Sequence, residues 1–229
     1  MASTVQSASP GRSAASAQPV TGEQPDFFAR LEKHRKPISY GVGAVAVLVL
    51  GVWLYGETGR RKETAAADAL DGARSAFEAG NLPTASAEFQ RVVQSYRGTD
   101  AAYQAVLGLN TVRLASGQAQ LAVDELKKFS DAGPPALYAS GAQLLIGGAL
   151  ENLGRFEQAA AAYSKAGELA EEPYRKIEGF LGAARAFHLA GKNKEAADVL
   201  RGVVSKFPAE TPGVAEARVR LAEWTQGAM

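Results

Sequence analysis

Few residues in this chain have the type and spacing that chemistry requires. In 229 residues there are two histidines, His34 and His188, and no cysteine. Disulfides, thiolate metal sites and cysteine nucleophiles are thereby excluded. Two isolated histidines leave little room for a histidine-built metal centre. No Ser-His-Asp order is compelling around a single domain histidine. None of the glycines forms the GxxxxGK[ST] phosphate loop. Adjacent carboxylates occur at Asp124-Glu125 and Glu171-Glu172. Neighbours on a helix point about 100° apart, so neither pair makes an acid–base couple alone, and both read as solvated faces. The 25 basic and 24 acidic residues leave a net charge of +1, which argues against a nucleic-acid binder. The expectation is a protein that is not an enzyme, with no catalytic residue, cofactor or metal, whose chemistry is binding.

The elements that would present such a surface are uneven along the chain. Residues 1–25 are mostly Ser, Ala, Gln, Pro and Thr, too poor in large apolar side chains to offset the entropy of ordering, and predict a disordered tail. Residues 26–37 form a short basic, amphipathic juxtamembrane segment, with Phe27, Phe28 and Leu31 on one face and Arg30, Lys33, Arg35 and Lys36 around them. From Ile38 to Gly56 run 19 residues without a charge. As a helix they reach roughly 28 Å, about the hydrocarbon thickness of a bilayer, and predict a single transmembrane helix over 38–56. Tyr40 stands near one end and Trp53 and Tyr55 near the other, where amphipathic rings prefer the interface. A cleaved secretory signal is the rival reading, but the apolar stretch starts late and is long. Four basic residues precede the segment (Arg30, Lys33, Arg35, Lys36) and three follow it closely (Arg60, Arg61, Lys62). That balance favours a cytoplasmic N-terminus and an exported C-terminal domain in a cell-membrane protein.

The C-terminal part keeps a clock. Turn glycines stand at Gly80, Gly117, Gly154 and Gly191, each 37 residues after the last. Ten residues before each is a leucine: Leu70, Leu107, Leu144 and Leu181. Five after each is an alanine: Ala85, Ala122, Ala159 and Ala196. Nine after each is a large side chain: Phe89, Leu126, Tyr163 and Leu200. A fixed period with several columns in phase signals a repeat array. Each unit reads as an apolar-periodic helix, a tight turn and a second apolar-periodic helix. One hairpin cannot bury its own apolar face, but stacked hairpins can.

This pattern resembles the tetratricopeptide repeats, which share the turn Gly, the Ala five later and the aromatic or Leu nine later. The family's Pro seventeen after the Gly is matched by Pro134 and Pro208 but not by Arg97 or Glu171. The small residue seven before the Gly appears as Ala73, Gly147 and Ala184, while Asn110 breaks it. The family's usual period is 34, so each unit here is longer by three. The resemblance implies an all-α fold: a single transmembrane helix, then a right-handed superhelix of about four helix-turn-helix units over 63–99, 100–136, 137–173 and 174–210, closed by a capping helix over 212–226. The whole repeat domain is expected over 63–226.

The resemblance also implies where ligands lie, on the face lined by the first helices. Carried over by offset, that peptide-binding groove comprises Arg74, Phe77, Thr111, Leu114, Glu151, Asn152, Arg185 and His188. It mixes apolar area with two arginines and suits an extended or partly unfolded peptide. The leucine column stands where chaperone-tail-binding members carry basic residues, so an acidic chaperone tail is not the expected ligand. In order of parts the chain resembles the bacterial ancillary subunits of the Sec translocon. That likeness implies protein partners or unfolded segments, translocon subunits among them, and membrane lipid around the anchor, with no nucleic acid. A scaffold for an envelope or cell-division complex with one fixed partner is the alternative.

Overall fold

The computed structural model describes residues 35–226, with side chains from Val45 onward except those of residues 46, 54, 55 and 226. The tail over 1–25 and nearly all of the basic segment 26–37 lie outside the described residues. The described residues form nine helices: α1 (Arg35–Glu78), α2 (Leu82–Ser95), α3 (Asp100–Ala115), α4 (Ala119–Asp131), α5 (Ala136–Asn152), α6 (Phe156–Leu169), α7 (Pro173–Leu189), α8 (Asn193–Lys206) and α9 (Val214–Gln226). The chain divides into two units, one up to Leu54 and one from Tyr55 onward.

In the first unit the described chain is the N-terminal part of α1. Val45, Val47, Leu48, Val49, Leu50, Val52 and Trp53 are 55–73 % exposed. Successive residues of a helix point to all sides, so among the described residues this stretch has no packed face. Among the described residues no helix is long and apolar enough to cross a membrane. Ten of the nineteen side chains of the 38–56 segment lie outside the described residues. The helix also does not stop at Gly56. It runs through residues 57–62, where Glu57 pairs with Arg61 one turn on at 2.8 Å and with Arg60 at 3.5 Å. Such pairs add a few tenths of a kcal/mol each, about 0.2–0.5, to a solvated helix.

From Tyr55 on, the helices pair in chain order as hairpins. The C-terminal half of α1 packs with α2 through Leu70, Ala73, Ala85 and Phe89, α3 packs with α4, α5 with α6 and α7 with α8, and α9 closes the series against α8. The four hairpin turns share one hydrogen-bond pattern. Each turn glycine donates its N–H to the carbonyl three residues back: Gly80 to Phe77, Gly117 to Leu114, Gly154 to Glu151, Gly191 to His188. The next residue donates to the carbonyl five back: Asn81 to Ala76, Gln118 to Arg113, Arg155 to Leu150, Lys192 to Phe187; all eight distances are 2.8–3.0 Å. This is the Schellman ending, in which the last residue must be left-handed. The four glycines have φ between +71° and +75°, where a side chain would be strained.

Packing between the helices uses the remaining columns. Ala85, Ala122, Ala159 and Ala196 are fully buried, so the second helix of each unit approaches the first closely. The large residues nine after the turn fill the space between units. Phe89 and Tyr163 meet glycines of the following unit: a Cβ on Gly108 would lie 2.6 Å from the Phe89 ring, and one on Gly182 2.8 Å from the Tyr163 ring. Where this column carries Leu126 instead, the following unit has Leu145 at the equivalent position. Between α6 and α7 the approach is backbone to backbone: a Cβ on Gly179 would lie 2.7 Å from the Gly167 Cα and 2.8 Å from the Tyr163 carbonyl oxygen. Asn110, which breaks the small-residue column, is buried and satisfied. Its amide donates to the Val106 carbonyl at 2.9 Å and its oxygen accepts from Arg113 at 2.9 Å.

Three apolar clusters follow one another along the stack, over α1–α3, α4–α7 and α7–α9. The array therefore has no central core; each unit is held by its neighbours. In α9, Val214 and Ala217 are fully buried, and Leu221 and Trp224 pack on the last cluster. Val219, which apolar periodicity also places in the cap, points outward and is 57 % exposed. It falls about 180° from the helical face that Ala217 and Leu221 share.

Candidate functional site

The eight groove positions come from the ends of the first helices, in the turns just before the Schellman glycines. Their side chains divide into three groups. Phe77 and Leu114 turn inward and pack against the apolar clusters. Thr111 is half-buried, with its hydroxyl donating to the Leu107 carbonyl of its own helix at 3.0 Å. Asn152 is exposed. The other four, Arg74, Glu151, Arg185 and His188, reach across to other helices.

Arg74 donates to Asp71 at 3.3 Å on α1 and to the side-chain oxygen Oε1 of Gln104 on α3. Glu151 on α5 and Arg185 on α7 form a two-pronged pair: Nε donates to Oε1 and Nη2 to Oε2, both at 3.1 Å. Tyr163 of α6 completes the cluster. Its hydroxyl donates to Glu151 at 3.0 Å and accepts from Arg185 Nη2 at 3.2 Å, and the guanidinium lies 5.5 Å over its ring. Burial, and then the Glu151 charge, push the Tyr163 hydroxyl up to about 12. The hydrogen bonds it donates to Glu151 hold the Arg185 guanidinium above its ordinary value. A bidentate arginine–carboxylate pair of this kind fixes geometry as well as adding energy. His188 stacks flat on Trp224 of α9, ring centres 4.3 Å apart and planes 3° apart, while its Nδ1 stands 2.7 Å from Asn193 Oδ1.

The polar groove positions thus also act as ties between helices: α1 to α3, α5 to α7, and α7 to α9. Beside the last two ties is a cleft of about 330 Å³ between α7 and α9, lined by Ile177, Leu181, Glu178, Arg185, Glu216 and Arg220 among others. A larger one, about 520 Å³, opens between α4 and α6 over Ile146 and Leu150 of α5, with Lys127 and Lys165 at its edge. None of the eight groove positions lines the larger cleft. The sequence did not announce Gln104, Tyr163, Glu178, Arg220 and Trp224 as neighbours of the groove positions. The i, i+4 spacing of Glu216 and Arg220 and the lone domain tryptophan were the available signals. Among the described residues no cluster of His, Asp or Glu could hold a metal ion.

Residues 55–177 match the family described as a tetratricopeptide repeat-like domain, and residues 178–209 match the tetratricopeptide repeat. The nearly identical tetratricopeptide-like repeats of a Podosopora anserina protein assigned as a kinesin light chain have a similar fold. Two solved structures of these repeats, one of them of a substituted variant, each superpose with a TM-score of 0.58 at 19 % identity over 72 % of this chain, covering 87 % and 88 % of theirs. At that identity the likeness is one of fold. No curated protein matches the sequence.

Proposed function

The chain belongs to the tetratricopeptide repeat-like family, and from that premise we propose that it is a membrane-anchored module whose repeats hold extended segments of exported proteins at the Sec translocon. Repeats of this family suggest protein–protein interaction and are typically not catalytic. The observation that carries the reading is the pairing of two surfaces in one chain: a stack of hairpins with clefts opening between its helices, and a helix whose described large apolar side chains between Val45 and Trp53 are all exposed. Leaving such a helix in water costs about 25 cal/mol for each Å² of apolar surface. A bilayer removes that cost, and Trp53 with Arg60 and Arg61 beyond it supplies the aromatic and basic flank that an interface favours. The translocon assignment rests on the order of parts, and the exported orientation on the basic residues around the apolar segment.

Photo-crosslinking in intact cells from Asn152, Thr111 and Arg74 tests the reading. Translocon subunits and a spread of exported chains are the expected products. Recovery of a single stoichiometric protein instead would replace the reading with that of a dedicated scaffold. Carbonate extraction and a topology reporter fused after Met229 test the anchor and its orientation. Release into the soluble fraction, or a reporter active only in the cytoplasm, would overturn those two parts.

A further inference from the structure

The cleft between α7 and α9 has a chemistry of its own. Its floor is Ile177, fully buried, and Leu181. A glycine keeps it open: a Cβ on Gly213 would lie 2.6 Å from Ile177, at a φ of +93° that favours glycine in any case. Bare backbone beside an apolar floor is where another chain can approach closely. The rim carries four charged groups, and most are already committed. Arg185 is held by Glu151 and Tyr163, and Arg220 by Glu216 at 2.5 Å. Two groups remain unspent. Glu178 is exposed and has no hydrogen bond or ion pair among the described residues. Among the described residues Arg220 Nη1 is shut off from water and has no acceptor. An unmet buried donor is costly, and a ligand oxygen that meets it relieves the cost.

We propose that this cleft is the anchoring subsite for an extended polypeptide segment in which an apolar side chain stands next to a basic one. The apolar side chain covers Ile177 and Leu181. The lysine or arginine beside it pairs with Glu178, the one rim carboxylate without a partner. A main-chain carbonyl oxygen of the segment takes the spare donor of Arg220, whose guanidinium turns from the Trp224 ring, 6.0 Å away, toward the cleft. An acidic neighbour is disfavoured, because both arginines are neutralised and the carboxylate that is left repels it. The inference rests on the peptide-holding reading above and gives that reading a partner chemistry.

The test uses the full chain in detergent micelles with Trp53→Phe, so that Trp224 is its only tryptophan. Three Gly/Ser peptides, alike except for a central Leu-Lys, Leu-Gln or Leu-Glu, are titrated in while Trp224 emission is followed. The Lys peptide is expected to bind about three- to tenfold tighter than the Glu peptide, in line with one solvated ion pair gained and one repulsion avoided, and to weaken with added salt. Glu178→Lys, which removes no contact within the protein, is expected to reverse the order with an unchanged far-ultraviolet circular dichroism spectrum. Equal binding of the three peptides, or an order that Glu178→Lys leaves standing, overturns the subsite. A reduced, carboxymethylated unfolded protein serves as the second probe. If it binds while the peptides do not, the subsite alone is lost. If neither binds, the peptide-holding reading falls as well.

Discussion

Removing Arg185 from the Glu151–Tyr163–Arg185 cluster tests whether the ligand-facing surface is also the seam of the stack. Arg185→Met keeps an aliphatic stem and deletes three hydrogen bonds, two to Glu151 and one to Tyr163. Breaking a fully buried ion pair costs about 3–5 kcal/mol, and an exposed one about 0.2–1 kcal/mol. Here the side chain of Glu151 is 18 % exposed and that of Arg185 43 %, so solvent screens one partner and the loss falls at about 1–2 kcal/mol. For a domain of this size Tm should drop by about 3–6 °C. Glu151→Gln should also destabilise, and the double variant should lose less than the two singles together. The tyrosine separates this from generic damage. Glu151 raises the Tyr163 value and Arg185 lowers it. Arg185→Met must therefore move the Tyr163 titration upward. Glu151→Gln must move it downward from about 12, though not to the ordinary tyrosine value, because burial remains the larger cause. A near-ultraviolet absorbance titration, read as the difference from Tyr163→Phe, measures both. Displacement in the same direction, or single variants that melt like the parent, would refute the reasoning.

Other outcomes follow from the same contacts. The folded state holds the Tyr163 proton more tightly than the unfolded chain, so its share of stability is whole below about pH 10 and is lost as pH rises toward about 12; Tyr163→Phe should flatten that alkaline decline in denaturant midpoints. Gly179→Ala should destabilise by at least about 2 kcal/mol in chemical denaturation, since the new methyl meets backbone that cannot step aside. Gly202→Ala, in the interior of α8 with open space around it, should instead stabilise by about 0.5–1 kcal/mol. Gly154→Ala, at a left-handed turn with φ +71° and room for the methyl, should cost about 1 kcal/mol from backbone strain alone.

How much of this was legible in the sequence depends on the range of the force involved. The turns were legible because a left-handed helix ending needs glycine at one position, and Gly80, Gly117, Gly154 and Gly191 mark it at a constant interval. The hairpins were legible because alanine and a large side chain must recur wherever two helices meet. Both are local rules acting within one unit, and from them the residues alone determined an all-helical repeat array. The state of the groove side chains was not legible. Glu151 and Arg185 are 34 residues apart, and nothing in either segment announces the other. Whether an arginine on that face is free or already paired depends on how one unit lies on the next. That stacking is set by features such as Tyr163 seated on Gly182 and Gly167 against Gly179. The cleft at α9 is decided the same way, since its floor comes from α7 and its rim from both helices. Short-range backbone chemistry is written residue by residue, whereas the spending of charge across a seam exists only once the units are in contact.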